Sequence, residues 1–246
     1  MLWLSACSAG GKSLWREVAA AATPPAGTLS LATGTAFFVS LDGTLLTARH
    51  VVDKCLRVDI LSEAVAPTAV SVVASNDALD LALLRVEGAF STPAALTMTR
   101  KSSPDPALPL TVYGYPLDGG ARHASSAETR LANALAPEFF ADRFKPVLGD
   151  PRYFIWLDGR LGHGYSGGPV LDKDGAVVGV VKGMVKKDAR YNLAMGAGAV
   201  SVLTRSINFA PPIAGPEVQA NGDDRAIRSA IVRVVCWRDF PAAADQ

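Results

Sequence analysis

Short runs of aliphatic and β-branched residues, separated by turn residues, are the feature of this 246-residue chain that most restricts its fold. Asp42-Gly43 separates two such runs, and Asp174-Gly175 separates two others. An Asp-Gly pair between apolar runs is a strong hairpin signal, because both residue types tolerate the positive φ of a tight turn. Strand-length runs fill residues 29–86 and resume between residues 110 and 200. The sequence therefore predicts an all-β protein, with one short helix at Ser201–Asn208 for which Ser201 is the expected N-cap.

A proline-rich connection at residues 91–109 separates the two sets of strands. Two all-β units of similar size predict either a pair of packed barrels or a pair of sandwiches. Before the first unit, residues 19–27 contain only Ala, Thr, Pro and Gly, which is typical of a flexible linker. We therefore interpret residues 1–27 as a tether in front of the folded part.

Charge and composition exclude several classes of protein. Lys and Arg number 24 against 23 Asp and Glu, and no block of like charge occurs, so a nucleic-acid partner is not expected. The sequence has no Cys-x-x-Cys and no two histidines four apart, so we expect neither a metal nor a cofactor. No uninterrupted apolar run reaches about 18 residues, so no transmembrane helix is predicted.

The three cysteines bear on where in the cell the protein is found. Leu4-Ser5-Ala6-Cys7 resembles a bacterial lipobox, which would place a lipid anchor on Cys7 and the protein in the bacterial cell envelope; a chance match in an Ala-rich sequence is the alternative. This anchor would be the chain's only contact with a membrane. Cys55 and Cys236 would then remain for a disulfide in an oxidising compartment, or they are two buried free thiols.

The segment Gly164-Tyr165-Ser166-Gly167-Gly168-Pro169 is the strongest chemical signal. Its glycines allow a tight turn that presents the serine hydroxyl and converging backbone N–H groups. Such a serine needs an imidazole base held by a carboxylate. The nucleophile elbow of α/β-hydrolases also fits the glycine spacing, but it requires a histidine after the serine. All three histidines, at positions 50, 123 and 163, precede Ser166, so this alternative fails.

The order His, Asp, Ser remains, and His50 and Asp80 occupy matching sequence contexts. Together with Ser166 they lie in segments that resemble the trypsin-like serine proteases, nearest to the bacterial HtrA/Deg type, over about residues 29–208. The segments that carry the resemblance are Gly34-Thr-Ala-Phe-Phe-Val39, Leu46-Thr-Ala-Arg-His-Val-Val52, Asp80-Leu-Ala-Leu-Leu84 and Ser166-Gly-Gly-Pro169.

The resemblance implies two packed six-stranded antiparallel β-barrels, at about residues 28–90 and 108–208, with a short C-terminal helix. It also implies that His50 is the general base, that Asp80 orients it, and that Ser166 is the nucleophile. The N–H groups of Gly164 and Ser166 would form the oxyanion hole. Asp77 is the competing carboxylate, and Asp80 is preferred because it directly adjoins the strand that would hold it rigid.

Further residues are expected around the substrate pocket, namely Arg160, His163, Val181, Lys182 and Gly183. Arg160 stands where digestive trypsins carry their specificity Asp, which disfavours cleavage after Lys or Arg. Tyr165 replaces the Asp that pairs with a new N-terminus in zymogens, so activity should not require N-terminal cleavage. His123 is interpreted as a solvated loop residue.

About 40 residues follow residue 208, so we expect no PDZ module after the protease domain. Residues 209–246 are interpreted as a C-terminal extension. Within it, residues 230–237 are rich in β-branched residues and predict an additional strand. We hypothesise that this strand returns to complete the first barrel, which would bring Cys236 near Cys55.

The resulting prediction is a serine endopeptidase that acts on proteins or peptides through an acyl-enzyme, without a cofactor. Two alternatives stay open, a catalytically silent peptide-binding protein and an esterase on the same fold. The sequence does not indicate an oligomeric state.

Overall fold

The computed structural model describes residues 28–88, 90–101, 104–117, 124–131, 153–185, 188–211 and 223–239. These ranges contain twelve strands and three short helices. The elements up to residue 86 are β1 Thr28–Phe38, β2 Thr44–Ala48, α1 Arg49–Val52, β3 Arg57–Leu61, β4 Thr68–Asn76 and β5 Leu81–Val86. The later elements are β6 Leu110–Gly114, β7 Ser125–Leu131, β8 Phe154–Asp158, β9 Pro169–Leu171, β10 Val177–Val185, β11 Asp188–Gly196, α2 Ala197–Arg205, α3 Asp224–Ser229 and β12 Ile231–Asp239.

The strands form two closed antiparallel barrels of six strands each, which confirms the predicted all-β fold. Neighbouring strands follow the order β1-β12-β3-β4-β5-β2 in the first barrel and β10-β11-β8-β7-β6-β9 in the second. Closure leaves neither sheet with a free edge. Apolar side chains from both barrels, among them Phe37, Leu83 and Val180, share one buried cluster with Ile231 of β12.

Local side-chain chemistry accounts for the two Asp-Gly hairpins. Gly43 adopts a φ of +82°, and the carboxylate of Asp42 accepts hydrogen bonds from the Thr44 backbone N–H and hydroxyl at 3.2 and 2.7 Å. Gly175 adopts a φ of +77° in the turn between β9 and β10, where the Asp172 carboxylate accepts from the Ala176 N–H at 2.9 Å. Both turns therefore fix the register of the strands that they join.

The C-terminal strand β12 lies between β1 and β3 and pairs antiparallel with both. Its residues from Ile231 to Trp237 are all buried. The Trp237 indole N–H donates to the buried Asp59 carboxylate at 2.6 Å, and Arg57 Nε donates to the same carboxylate at 2.9 Å. The segment that follows the second barrel in sequence therefore supplies the sixth strand of the first barrel.

The helix after β11 begins earlier than the sequence predicts. We expected a helix at Ser201–Asn208 with Ser201 as its N-cap, but α2 begins at Ala197, and Gly196 is its N-cap without a side-chain hydrogen bond. Ser201 lies inside the helix, where its hydroxyl donates to the Ala197 carbonyl at 3.0 Å. A serine hydroxyl can bond to the preceding helical turn as readily as it can cap a helix, so the position of Ser201 in the sequence did not show where α2 begins.

None of the helices in the described ranges is long and apolar enough to cross a bilayer.

Candidate active site

His50 lies in α1, the single helical turn that follows β2 directly. Its ring Nδ1 is 2.8 Å from Asp80 Oδ2, and its backbone N–H donates to Asp80 Oδ1 at 2.9 Å. The neighbouring Arg49 N–H donates to the Asp80 carbonyl at 2.9 Å. Because an ionised carboxylate only accepts, Nδ1 carries the ring proton and Nε2 keeps a free lone pair. The imidazole is therefore oriented by Asp80 and can accept a proton at Nε2.

Asp80 occupies the end of the turn that leads into β5, with a left-handed φ of +52°. Aspartate tolerates this conformation better than most residues. Burial raises the pKa of the Asp80 carboxyl, but the hydrogen bonds from His50 and the charges of His50 and Lys182 outweigh burial and hold the pKa below its ordinary value. Asp80 is therefore an ionised, nearly enclosed partner of the imidazole.

The structure distinguishes Asp80 from its competitor Asp77. The Asp80 side chain is 10% exposed, whereas the Asp77 side chain is 85% exposed and pairs with Arg49 Nη1 at 2.7 Å. The Asp77 carbonyl accepts from the Asp80 N–H at 3.2 Å within the turn. Asp77 thus contributes to the turn and to a surface ion pair, while Asp80 contacts the imidazole.

Ser166 stands in a turn whose glycines are required by close contacts. Gly164 and Gly167 have φ values of +99° and +84°, and a Cβ on either would come within 2.0–2.1 Å of a backbone oxygen of Tyr115 or Thr35. From the first barrel, the Thr35 N–H donates to the Ser166 carbonyl at 2.9 Å. The turn is thus held at the boundary between the barrels, where it faces α1.

His50 and Ser166 line one cavity of about 320 Å³. The Ser166 hydroxyl donates to the Lys182 carbonyl at 3.2 Å. Among the described hydrogen bonds, none joins this hydroxyl to the His50 ring. The cavity thus presents a serine hydroxyl and an oriented imidazole to the same space, with the hydroxyl turned toward β10.

Among known families, the model described as the trypsin-like peptidase domain matches residues 34–180. The chain belongs to the trypsin-like peptidase family. The serine protease Rv3671c of Mycobacterium tuberculosis is 32% identical over 182 residues, which cover 73% of this chain and 43% of that protein. The uncharacterised protein y4bJ of Sinorhizobium fredii is 33% identical over 192 residues, which cover 77% of this chain and 27% of that protein. The chain therefore spans less than half the length of these relatives.

Solved structures share the fold. The crystal structure of the active form of the Rv3671c protease from M. tuberculosis is similar with a TM-score of 0.58 at 25% identity, covering 77% of this chain and 85% of that chain. The HtrA-type protease AlgW with decapeptide gives a TM-score of 0.58 at 22% identity, covering 71% of this chain and 51% of that chain. At 22% identity, the similarity to AlgW shows a shared fold and nothing further.

The segment expected to form the oxyanion hole is held by contacts from the first barrel. The Gly164 carbonyl accepts a 2.7 Å hydrogen bond from the Thr35 hydroxyl, which itself accepts from the Tyr115 N–H at 3.0 Å. The N–H groups of Gly164 and Ser166 donate to no other described residue.

Four of the five expected pocket residues line the cavity with His50 and Ser166. These four residues are His163, Val181, Lys182 and Gly183. The structure does not bring Arg160 to this cavity, because it lies in an exposed turn after β8. Cys7 and His123 lie outside the described residues.

The sequence does not predict two contacts of the site. Lys182 Nζ lies 3.3 Å from Asp80 Oδ2. Asn192 is buried at the cavity wall; its amide nitrogen donates to the Gly159 carbonyl at 2.5 Å, and its Oδ1 has no hydrogen-bond partner among the described residues. At both positions, the sequence signal was a polar residue within an otherwise apolar run that is typical of a buried strand.

A disulfide joins Cys55, which follows α1, to Cys236 of β12, with their Cα atoms 5.3 Å apart. Arg238 lies two residues after Cys236 in the same strand, and its Nη2 is 3.5 Å from the His50 carbonyl. Strand β12 is therefore linked covalently to the segment that carries the imidazole.

Within the part of the chain described, no three His, Cys, Asp or Glu side chains converge as a metal site requires.

Proposed function

We propose that the protein is a serine endopeptidase in which His50, Asp80 and Ser166 act as a catalytic triad. The observation that carries the proposal is that Asp80 holds His50 through both its ring and its backbone N–H, on the wall of a cavity that Ser166 also lines. Membership of the trypsin-like peptidase family supports the same assignment. Protein or peptide substrates are proposed from the family and from strand β10, whose residues 181–185 line the cavity.

In the proposed reaction, Nε2 of His50 accepts the Ser166 proton as Oγ attacks the peptide carbonyl. The negative charge that develops on the carbonyl oxygen is stabilised by the N–H groups of Gly164 and Ser166. The imidazolium formed is stabilised by Asp80 and returns the proton to the leaving amine, which leaves an acyl group on Ser166. Water then attacks the ester with His50 again as the base.

The Ser166 hydroxyl must first exchange its hydrogen bond to the Lys182 carbonyl for one to Nε2. We propose that rotation about the Cα–Cβ bond of Ser166 makes this exchange, since catalytic hydrogen bonds commonly tighten when substrate binds. We propose that a substrate strand pairs with β10 near residues 180–184 and completes this change.

Activity is proposed not to depend on cleavage of the N-terminus. Tyr165 immediately precedes the nucleophile, and its ring is buried against Gly114, where an added Cβ would lie 2.7 Å from Tyr165 Cδ1. Burial raises the pKa of the Tyr165 phenol, so this side chain remains neutral. It offers no carboxylate to a newly formed terminal amine.

One observation favours a second candidate, a peptide-binding protein without catalysis. The hydroxyl of Ser166 donates to Lys182 rather than to the imidazole. If this hydrogen bond persisted in the presence of substrate, the serine would not be activated.

Labelling with a fluorophosphonate probe tests the proposal. We expect the wild type to be labelled in native buffer and the variants Ser166→Ala and His50→Ala to remain unlabelled. Ser201→Ala, which removes another hydroxyl of the same chain, serves as the matched control and should label as the wild type does. No labelling of the wild type would favour the silent peptide binder, and labelling of Ser166→Ala would refute the nucleophile. Turnover of matched peptide and ester substrates separates the peptidase from an esterase.

We also propose that the protein works in the bacterial cell envelope. Disulfides persist in oxidising compartments, and the bond between Cys55 and Cys236 fits such a location. Leu4-Ser5-Ala6-Cys7 supplies a matching anchor sequence. Metabolic labelling with a fatty-acid analogue should mark the wild type and not Cys7→Ser; equal labelling of both would refute the anchor.

A further inference from the structure

Lys182 of β10 contacts both ends of the proposed triad. Its backbone carbonyl accepts the hydrogen bond from the Ser166 hydroxyl at 3.2 Å. Its ammonium lies 3.3 Å from Asp80 Oδ2, and the lysine side chain is about one-third exposed while the Asp80 side chain is 10% exposed. A cation is thus held against the nearly enclosed carboxylate of the site.

The ammonium and the imidazole share one oxygen atom. His50 Nδ1 lies 2.8 Å from the same Asp80 Oδ2. Two nitrogens that share one oxygen at these distances are within roughly 6 Å of each other, the range in which like charges oppose each other's ionisation. A proton added to the His50 ring therefore meets a positive charge that is already present.

We propose that Lys182 is a positioning residue that sets the low-pH limit of the reaction, by opposing protonation of His50 through their shared partner Asp80. The inference rests on the proposed function, because a neutral His50 is required as the base. With the lysine present, the base remains neutral to lower pH, and turnover extends further into the acid range.

The carboxylate itself does not titrate in the relevant range. Although burial raises the pKa of Asp80, the His50 and Lys182 contacts keep it below its ordinary value of 3.8. Asp80 is thus already ionised at every pH at which an unperturbed imidazole gains its proton.

The other charged groups near His50 make contacts that do not involve Lys182, so they are kept when Lys182 is replaced. On α1 itself, Arg49 pairs with Asp53 at 3.2 Å and with Asp77 at 2.7 Å. From β12, Arg238 reaches the His50 carbonyl, and His163 lines the same cavity. Because these groups remain, the difference between the wild type and a Lys182 variant isolates the lysine charge.

The first experiment compares kcat/KM for a peptide substrate as a function of pH. In Lys182→Met, which keeps most of the aliphatic stem, the half-maximum of the acid limb should move to higher pH by roughly 0.5–1.5 units. Lys182→Arg keeps the charge and should retain most of the wild-type profile. Lys173→Met removes an exposed cation from the neighbouring hairpin, where Lys173 pairs with Asp174, and should leave the profile unchanged. An unmoved acid limb in Lys182→Met, or an equal shift in Lys173→Met, would overturn the inference.

The second experiment needs no turnover. It distinguishes the failure of the Lys182 inference from the failure of the proposed function. The His50 ring is titrated by NMR in Ser166→Ala, with and without Lys182→Met, and identified by comparison with His50→Gln. The midpoint should rise in the double variant by an amount similar to the kinetic shift. An unchanged midpoint overturns the role of Lys182, whatever the activity. A raised midpoint in a protein whose wild type reacts with neither probe nor peptide instead refutes the proposed function and leaves the charge coupling in place.

Discussion

The Thr35 hydroxyl of the first barrel donates a hydrogen bond of 2.7 Å to the carbonyl of Gly164 in the second barrel, 129 positions further along the chain. The same hydroxyl accepts from the Tyr115 N–H, and the Thr35 N–H donates to the Ser166 carbonyl. Thr35 is fully buried. Both ends of the Gly164–Ser166 segment are thus positioned by one threonine across the boundary between the barrels.

Thr35→Val is therefore expected to impair catalysis more than substrate binding. Valine keeps the shape but leaves the Gly164 carbonyl and the Tyr115 N–H unpaired, at a cost of about 1–3 kcal/mol for each buried group. Displacement of the proposed oxyanion donors, the N–H groups of Gly164 and Ser166, should lower kcat by roughly 10–100-fold with little change in KM. Steady-state kinetics on a peptide substrate measures the change. Thr35→Ser, which restores the hydroxyl, should recover most of the activity; wild-type kcat in Thr35→Val would contradict the positioning role.

Local chemistry explains why much of the fold was predictable. The Asp42-Gly43 and Asp174-Gly175 turns depend on residues next to one another, so the sequence shows them directly. His50, Asp80 and Ser166 could be selected as candidates because only three histidines exist and their order excluded one competing fold. These features required no knowledge of distant contacts.

Contacts between distant elements were not predictable in the same way. The ion pair of Lys182 with Asp80 forms only when β10 of the second barrel meets the turn before β5. Arg160 lies close to Ser166 in sequence, yet the turn after β8 directs it to the surface. The start of α2 was misplaced because Ala197-Gly198-Ala199 carries no capping side chain. Sequence spacing alone does not determine which side chains of distant elements come into contact.

Replacement of Asp80 by Asn separates its proposed role from that of Asp77. The amide can donate to Nδ1, which favours the wrong tautomer, so kcat should fall by on the order of 10³–10⁴-fold. Asp77→Asn removes only an ion pair on the surface and should change kcat by less than about twofold. Kinetics of both variants on one peptide substrate makes the comparison. A similar loss in the two variants would show that the turn, and not the carboxylate of Asp80, supports activity.

The disulfide between Cys55 and Cys236 should be a large contributor to stability. It bridges a sequence separation of 181 residues and attaches β12 to the segment after α1. Loss of such a cross-link typically costs roughly 2–5 kcal/mol. Urea unfolding of Cys55→Ala/Cys236→Ala should show this decrease relative to the oxidised wild type. Dithiothreitol should destabilise the wild type and leave the double variant unaffected; equal stability of the two oxidised proteins would argue against the contribution.

Two buried tyrosines predict a loss of stability at high pH. Burial and the hydrogen bond to Asp224 raise the pKa of Tyr113 to about 12, and burial raises the pKa of Tyr115 to about 12. The ordinary value is 10.0, so below that pH both phenols are protonated in the folded and the unfolded chain. Above it the unfolded chain ionises first, and the stabilising contribution is lost as the pH rises through about 12.

Urea unfolding at about pH 9 and about pH 11 measures this loss, which should be on the order of 1–3 kcal/mol for the two phenols together. In Tyr113→Phe/Tyr115→Phe the rings can still pack under Arg228 and Arg233, which lie 5.5 and 5.1 Å from the ring centroids. This variant removes the titrating groups and should lose less stability between the two pH values than the wild type. If both proteins lose the same amount, the alkaline destabilisation arises from groups other than these phenols.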